Sequence, residues 1–318
     1  MSAIGEELGG RLRAADLSAA PAVLNLVESR RPAHRDETAA LLHAVSPAAL
    51  GGEAPAHVVG VTGPPGSGKS SLLSHLVAAW RARERSVAVL AVDPSSKRSG
   101  GALLGDRARI VVDPRDDRVF IRSMAAGGRL GGLAPATRAA AHALAAAFDV
   151  VVIETVGVGQ SETEVAEVAD TVAVVVQPGG GDVLQFLKSG IMEIPDVLVV
   201  TKADLGPVAL RSRRDLSAAL RSLGVKETKV VAVSSLSPPA GFDDLVEALD
   251  EHRARLDVPA RRLAARRASA LADFVAEHGE RGLRAIGGRR AALKLLDEQD
   301  AALDVPALER ALEARAAA

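Results

Sequence analysis

The sequence predicts an α/β protein whose mostly parallel β-sheet is sandwiched between helices. Between residues 57 and 253, short runs of Val, Ile, Leu and Ala alternate with segments of helical periodicity. The runs are continuously apolar, which is typical of strands buried on both faces of a parallel sheet. A glycine-rich octapeptide, residues 63–70, separates the first apolar run from the first helical pattern. Since ligands of such sheets bind at the carboxyl ends of the strands, we look for functional residues there.

Each predicted strand is a short apolar run that stops at a polar residue or a glycine-rich loop. We expect strands at 57–62, 86–92, 119–122, 150–153, 171–176, 197–200 and 230–233. Helices are expected from residue 71, around 135–147, and from Phe242 to about Arg253, where apolar residues recur at helical spacing.

Helical patterns flank this region on both sides and suggest three segments. Residues 1–54 are predicted to be an N-terminal helical extension, interrupted near Pro21, Pro32 and Pro47. Residues 55–253 form the α/β domain, and residues 254–318 form a C-terminal helical region. The arginine run of this region is expected to be a solvated helix face; it comprises Arg253, Arg255, Arg261, Arg262, Arg266 and Arg267.

Composition excludes several classes of function. Aromatic residues are only 2% and the formal net charge is −1, which argues against stacking on single-stranded nucleic acid and against general polyanion binding. The chain has no Cys and its seven His are scattered, so thiolate metal sites and a Cys nucleophile are excluded. With no signal-peptide pattern and no apolar run of ~18 residues, we expect a soluble cytoplasmic protein that neither crosses a membrane nor binds nucleic acid.

The octapeptide between the first strand and the first helix fits the phosphate-binding pattern G-x-x-x-x-G-K-[ST]. Its glycines allow a tight turn in which backbone N–H groups converge on a phosphate. The N-terminus of the following helix adds partial positive charge. Lys69 can reach the β- and γ-phosphates, and the Ser70 hydroxyl can ligate Mg²⁺. The predicted nucleotide-binding residues of this P-loop are Gly63, Pro64, Pro65, Gly66, Ser67, Gly68, Lys69, Ser70 and Ser71. The fold expected is therefore that of a P-loop NTPase with helical extensions.

Acidic and hydroxyl groups follow several strands close to the predicted phosphate site. Ser70 follows the P-loop lysine, Asp93 ends the second strand and Glu154 ends the fourth, while Asp106 lies on a glycine-rich loop. Mg²⁺ prefers oxygen ligands and keeps several waters, so some of these groups could bind it directly and others through water. We predict these four residues as the metal set, with Lys69, Glu154 and Asp106 also contributing to catalysis.

The segment from Glu154 to Glu162 has the features of a phosphate-sensing loop. Gly157 permits close approach of the backbone to a γ-phosphate, and loss of that phosphate would release the loop. Gln160 is a candidate for orienting the attacking water, although it is not adjacent to that glycine. Arg107 and Arg109 could supply positive charge in cis or could equally be surface residues.

The choice of base is predicted by residues after the two last strands. A carboxylate at Asp204 can accept from both N1–H and the exocyclic amino group of guanine, whereas adenine presents an acceptor that would leave it unpaired. Thr201 opens this motif, and the stem of Lys202 can cover the base plane. Ser234, Ser235 and Leu236 follow the last strand and are expected on the other side of the base. GTP is favoured.

Taken together, these motifs resemble the methylmalonyl-CoA mutase-associated GTPases, the MeaB/ArgK family. The resemblance covers roughly residues 20–253, and the run Glu-Thr-Val-Gly-Val-Gly-Gln from Glu154 is its most specific piece. Further matching segments are 91–96, 99–107, 120–124, 130–133 and 178–191. The guanine motif begins with Thr201 where the family usually has Asn, and the C-terminal region lacks a Trp-bearing helix associated with the family's dimer arm.

This resemblance implies a GTPase with slow intrinsic turnover that assists an adenosylcobalamin-dependent acyl-CoA mutase, by gating cofactor loading and protecting the mutase. It also implies Mg²⁺ with GTP or GDP, and a homodimer for which the C-terminal helical region, residues 254–318, is a possible dimerisation element. Three switch regions are implied at 105–109, 154–162 and 179–188. Within the last region, Asp182, Gln185 and Lys188 would relay the nucleotide state to the mutase.

Three other functions stay open at this stage. A nickel metallochaperone would need Cys or clustered His, which the chain lacks. An ATP-dependent kinase or transport ATPase conflicts with the carboxylate at Asp204. A non-catalytic nucleotide-binding scaffold would not need Lys69, Ser70 and Glu154 together.

Overall fold

The computed structural model describes residues 3–29, 31–93, 110–126, 133–155, 161–179, 195–225 and 227–317. Contacts along the chain group it into two compact units. One unit comprises Met1–Ala56, Pro135–Phe148 and Asp257–Ala318, and the other comprises His57–Ala134 and Asp149–Leu256. The first is helical and the second contains the sheet, so we call them the helical unit and the sheet unit.

The sheet unit confirms the predicted α/β fold. Its described strands form a seven-stranded sheet in the order β3-β2-β4-β1-β5-β6-β7, and every described strand pairing is parallel. Strand β1 lies at the centre, so the loop that follows it emerges in the middle of the sheet's carboxyl edge. The strands are β1 (His57–Thr62), β2 (Val87–Asp93), β3 (Val119–Ala125), β4 (Val150–Glu154), β5 (Thr171–Val176), β6 (Val197–Val200) and β7 (Lys229–Ala232).

Helices of the sheet unit cover the sheet because its strands are apolar on both faces. Val59 and Val61 of β1 join a core that includes Trp80, which is fully buried. Gly60 faces the opposite side of the sheet, where a Cβ atom added to it would lie 2.7 Å from the side chain of Val165. The glycine thus lets a helix pack closely on the opposite face of the sheet. The helices of this unit are α5 (Lys69–Arg81), α7 (Ser161–Val168), α8 (Pro207–Ser222) and α9 (Phe242–Arg255).

In the helical unit, prolines mark the starts of helices as well as their interruptions. Pro21, Pro32 and Pro47 each occupy one of the first two positions of a helix, where the missing N–H needs no partner. The helices are α1 (Ala3–Arg13), α2 (Ala20–Val27), α3 (Pro32–Ala44), α4 (Pro47–Leu50), α6 (Pro135–Leu144), α10 (Val258–Ile286), α11 (Arg289–Asp297) and α12 (Val305–Ala317). α10 is bent at Gly279, whose φ of 61° and ψ of −165° are not helical.

Two features hold the helical unit together. Gly5 and Gly9 bring α1 against α3, since a Cβ at Gly5 would lie 2.0 Å from the Glu37 carbonyl oxygen. The long helices α10, α11 and α12 share an apolar core in which Phe274, Leu308 and Leu312 are fully buried. Each buried side chain of this size contributes about 1.5–3 kcal/mol. α6 belongs to the same compact unit as both terminal segments.

The arginine run does not form a solvated face throughout, so that expectation was wrong for two of its members. Arg262 and Arg266 are 7% and 6% exposed. Arg262 donates to the carbonyl oxygens of Ala54 and Ala56, and Arg266 forms a two-pronged ion pair with Glu53 at 2.9 Å. Buried guanidinium groups need such partners, and here the linker before β1 provides them.

Among the described residues, no helix combines the length and the apolar character required to cross a membrane.

Candidate nucleotide-binding site

The P-loop leaves the central strand and runs into α5, as its sequence pattern predicts. β1 ends at Thr62 and α5 begins at Lys69. Gly63 has a φ of 144°, and a Cβ atom there would lie 2.2 Å from the carbonyl oxygen of Val175. Only glycine fits this position, because both the backbone angle and the neighbouring strand exclude a side chain. The first glycine of the motif is therefore required by the sheet itself.

Within the loop, the backbone turns so that α5 begins facing the carboxyl edge of the sheet. Gly66 and Gly68 have φ angles of 78° and 91°, and Gly68 directly precedes the helix. The N–H of Ser67 bonds to the Pro64 carbonyl oxygen at 3.2 Å, which closes the turn. Ser67 is fully buried. This places the positive end of the α5 dipole at the loop, where an anion is stabilised.

Lys69 lies folded over the P-loop. Its side chain is buried at 8% exposure, and Nζ donates to the carbonyl oxygens of Gly63 at 2.6 Å and Pro64 at 3.3 Å. A buried ammonium group needs acceptors, and here the loop's own carbonyls supply them. The lysine is thus held at the mouth of the loop, within reach of a phosphate bound by the same backbone.

The sheet register brings Glu154 beside the end of β1. Its Cα pairs with Val61 on one side and with Ala91 on the other, and Glu154 is 3% exposed. Just beyond it, the Thr155 hydroxyl donates to the Thr62 hydroxyl at 2.9 Å, which ties the ends of the two strands together. The buried carboxyl group of Glu154 offers oxygen ligands at the same edge as the end of β1, which is the type of ligand that Mg²⁺ prefers.

Two other predicted metal residues, Ser70 and Asp93, lie at the same edge by their position in the chain. Ser70 is the second residue of α5. Asp93 is the last residue of β2, two positions beyond the residue that pairs with Glu154. The structure thus brings Ser70 and Glu154 to one edge of the sheet and ends β2 there at Asp93.

The residues predicted to read the base converge from two loops. Ser234 follows β7, and its hydroxyl donates to Oδ1 of Asp204 at 2.8 Å. Lys202 has a φ of 52°, and its Nζ donates to the Gln177 side chain at 2.7 Å. Leu236 is 63% exposed, so its apolar side chain is free to cover a planar ligand. The carboxylate is therefore oriented by a second loop before any base is present.

Thr201 joins the loop that contains the predicted guanine motif, residues 201–204, to the P-loop. We call residues 201–204 the base-reading loop. Its hydroxyl donates to the carbonyl oxygen of Ser67 at 2.7 Å, with the Val176 carbonyl oxygen also near at 3.2 Å. Thr201 is 3% exposed, so this bond is shielded from water. The hydroxyl of threonine is sufficient to make the connection.

His75 was not predicted to take part, although it supports the other loop predicted to contact the base, residues 234–236. Its Nε2 lies 3.1 Å from the Ser235 carbonyl oxygen, and because a carbonyl only accepts, Nε2 carries the proton. The ring also contacts Phe242, with centroids 5.1 Å apart. No spacing in the sequence signals this contact, since His75 and Ser235 are 160 residues apart.

Several predicted residues lie outside the described part of the chain. They are the catalytic and metal candidate Asp106, the loop residues Gly157 and Gln160, the arginines Arg107 and Arg109, and the relay residues Asp182, Gln185 and Lys188. The side chain of Asp93 is likewise not described. Their roles stay predictions.

Comparisons with known proteins agree with this geometry. Residues 20–283 match the family described as "Methylmalonyl Co-A mutase-associated GTPase MeaB". A putative GTPase of Pyrococcus abyssi is 41% identical over 79% of this chain and 77% of its own length. A putative GTPase of Caulobacter vibrioides is 46% identical over 69% of this chain and 66% of its own.

Two further proteins extend the comparison. A protein of Caenorhabditis briggsae named "Methylmalonic aciduria type A homolog, mitochondrial" is 40% identical over 63% of this chain and 50% of its own length. The crystal structure titled "LAO/AO transport system kinase" superposes with a TM-score of 0.67 at 26% identity, covering 99% of this chain and 98% of that one.

Proposed function

Because this chain belongs to the MeaB family of methylmalonyl-CoA mutase-associated GTPases, we propose that it is a GTP-hydrolysing chaperone of an adenosylcobalamin-dependent acyl-CoA mutase. The observation that carries the GTPase part is the junction of P-loop and base-reading loop through Thr201. The mutase part rests on the family description and on the name of the Caenorhabditis relative. Gating of cofactor loading and protection of the mutase are the two roles proposed.

The triphosphate would lie across the P-loop, from Gly63 to Ser71. Lys69 would exchange its hydrogen bonds to the Gly63 and Pro64 carbonyl oxygens for bonds to the β- and γ-phosphates. Its ammonium group, already held at the loop, would then stabilise the negative charge that develops on the phosphates during hydrolysis. The α5 N-terminus adds positive potential at the same point. Binding the triphosphate thus requires little reorganisation of the loop.

The guanine base would lie between Lys202 and the loop 234–236. Asp204 would accept from both donors of guanine, and the Ser234 hydroxyl holds that carboxylate in one orientation. A base without those donors would leave a desolvated carboxylate unpaired, at about 1–3 kcal/mol. This preference for guanine argues against an ATP-dependent kinase.

The oxygen donors at the carboxyl edge of the sheet fit a magnesium ion. Ser70 offers a hydroxyl and Glu154 a buried carboxylate, while Asp93 and Asp106 complete the proposed set. When bound, Mg²⁺ would neutralise phosphate charge in the transition state. Glu154 would orient water in the first or second coordination shell, and Gln160 would position the attacking water.

The state of the nucleotide would reach the partner through loops near the γ-phosphate. Gly157 would approach that phosphate, and Asp182, Gln185 and Lys188 would contact the mutase. A P-loop GTPase without an arginine supplied for catalysis hydrolyses GTP at about 10⁻⁴ to 10⁻² s⁻¹, so we propose a slow intrinsic rate that the mutase accelerates. A homodimer, as the family resemblance implies, is part of the proposal.

The test is hydrolysis of GTP by the purified chain alone and with a purified adenosylcobalamin-dependent methylmalonyl-CoA mutase. We expect slow turnover alone and at least about tenfold acceleration by the mutase, with Lys69→Ala inactive in both. Hydrolysis at tens of turnovers per second without a partner would contradict the proposal that the mutase regulates a slow GTPase. An unchanged rate, together with no complex on size-exclusion chromatography in a non-hydrolysable GTP analogue, would reject the mutase as partner.

A further inference from the structure

The helical unit contains a cleft of about 760 Å³ that is separate from the residues of the nucleotide site. Helices α3, α6, α10 and α12 supply most of its wall. A volume of this size matches the pockets that proteins use for small organic molecules and exceeds what a single ion needs. Its apolar lining includes Val27, Leu42, Ala139, Val305 and Pro306.

Two of the arginines that line the cleft, the buried Arg138 and the exposed Arg35, are already paired with carboxylates. Arg138 of α6 forms an ion pair with Asp273 of α10, and Nη1 of Arg35 lies 2.9 Å from Oε1 of Glu277. Arg31 also lines the cleft, but it is exposed, so water screens its charge. An anionic ligand would have to compete with these carboxylates for the arginines.

Two acceptors in the cleft lack a partner among the described residues. The Ser269 hydroxyl is 1% exposed and has no hydrogen-bond partner there. No described residue forms an ion pair or hydrogen bond with the half-buried carboxylate of Glu309. A buried hydroxyl without a partner costs about 1–3 kcal/mol, which a ligand that donates hydrogen bonds would recover.

Acidic groups outnumber basic ones around Glu309. Burial, followed by the charges of Asp273, Glu313 and Glu277, raises the pKa of its carboxyl to about 7, with Arg35 acting in the opposite direction. From α6, Arg138 is engaged by Asp273, and His142 lines the same cleft. The potential at this end of the cleft therefore favours a positive charge.

We propose that this cleft binds a small organic ammonium ion, whose charged group donates to the Glu309 carboxylate and the Ser269 hydroxyl while its hydrocarbon part contacts the apolar wall. An ammonium group offers three donors for these acceptors. The residues that line the cleft do not include any of the proposed nucleotide-binding residues, so the proposal is tested separately from the proposed function.

A bare metal ion is the other cation to consider. Ligand atoms of Glu277, His278 and Glu313 all lie within 4.8 Å of one another. Glu277 and His278 are exposed, Glu277 is engaged by Arg35, and neither His278 nor Glu313 lines the cleft. This group does not use Ser269 or Glu309, so the two sites are separable by mutation.

The experiment is calorimetric titration of the full chain with hexylammonium chloride at pH 8, beside 1-hexanol and sodium hexanoate as neutral and anionic probes of equal length. We expect 1:1 binding of hexylammonium at least about tenfold tighter than either other probe. Glu309→Gln should weaken it about tenfold or more, and Ser269→Ala about threefold. Glu280→Gln, an exposed carboxylate of the same helical unit, should leave it unchanged.

The affinity for hexylammonium should fall on going from pH 8 to pH 6, as Glu309 takes up a proton; protonation of His142 would act in the same direction. Equal binding of all three probes, tighter binding of hexanoate, or an unaltered Glu309→Gln variant would overturn the proposal. The proposal would also be overturned if the chain bound ZnCl₂ but not hexylammonium, and if His278→Ala abolished the zinc binding. An unchanged far-ultraviolet circular dichroism spectrum of each variant serves as the folding control.

Discussion

The hydroxyl of Ser234 donates a hydrogen bond of 2.8 Å to Oδ1 of Asp204, so loops following two neighbouring strands meet at one carboxylate. An oriented carboxylate distinguishes bases by the donors they present. Because the second oxygen of Asp204 has no such bond among the described residues, it is free to face a ligand. The base preference of the protein should therefore follow the chemistry of this one side chain.

Asp204→Asn should shift preference from GTP toward XTP, since the amide can donate where xanthine presents an oxygen. Loss of the charged acceptor corresponds to about 1.5–3 kcal/mol, or roughly tenfold to a hundredfold in GTP affinity. Competition binding with labelled GDP measures both nucleotides. Asp215→Asn, an exposed carboxylate on α8, is the matched control. Unaltered selectivity would remove Asp204 from the base site.

Lys69→Ala should abolish binding of the triphosphate, because the β- and γ-phosphate charge loses its partner and the loop loses the bonds from Nζ to two of its carbonyl oxygens. A loss of more than about a hundredfold in GTP affinity is expected from removing a charged hydrogen-bond donor in a buried site. Lys229→Ala, an exposed lysine in an ion pair, should bind GTP normally. Tight binding by the Lys69 variant would contradict the P-loop assignment.

Two P-loop glycines allow a matched comparison of how much an added side chain lowers the free energy of unfolding, measured without nucleotide. Gly63→Ala should destabilise the sheet unit by about 3 kcal/mol or more, because its Cβ would lie 2.2 Å from the Val175 carbonyl oxygen. Gly66→Ala meets no atom within 4 Å, so only its φ of 78° opposes the side chain, at about 1–2 kcal/mol. Urea unfolding measures both. Equal losses would show that contact with β5 does not matter.

Glu309→Gln should change how the stability of the chain depends on pH. The pKa of Glu309 is raised from 4.5 to about 7, so in the folded chain its proton is lost less easily than in the unfolded chain. Stability is therefore retained below pH 4.5 and declines as pH rises through 7. The variant should have a higher Tm than the wild type at pH 8 and an equal one at pH 4. A lower Tm at pH 8 would contradict this account, and Glu280→Gln is the control.

The sheet and the P-loop were predictable because their signals are local. β1, β5 and β6 begin and end where their apolar runs predict. The observed boundaries of β2 and β7 differ from the predicted ones by one residue. A polar residue at a strand end can join the backbone hydrogen-bond ladder or leave it without changing the apolar pattern of the strand. α8 was not predicted, because its apolar residues are few among arginines.

What the sequence did not reveal depends on contacts between distant segments. The arginine run looked like a solvated surface, yet Arg262 and Arg266 meet backbone and carboxylate groups more than 200 residues earlier in the chain. The grouping of α6 with both terminal segments is equally non-local. In the site, His75 reaches Ser235 through the fold alone. Periodicity predicts which face of an element is buried, but not which partner covers it.

The bond from the Thr201 hydroxyl to the Ser67 carbonyl oxygen would make the two ends of the proposed nucleotide site thermodynamically interdependent. Guanosine and pyrophosphate, offered as separate fragments, would each organise a loop that the other also needs. Their binding free energies would then be cooperative, and the whole nucleotide would gain more than its two fragments together. Losing that single hydroxyl, as in Thr201→Val, would uncouple recognition of the base from recognition of the phosphates.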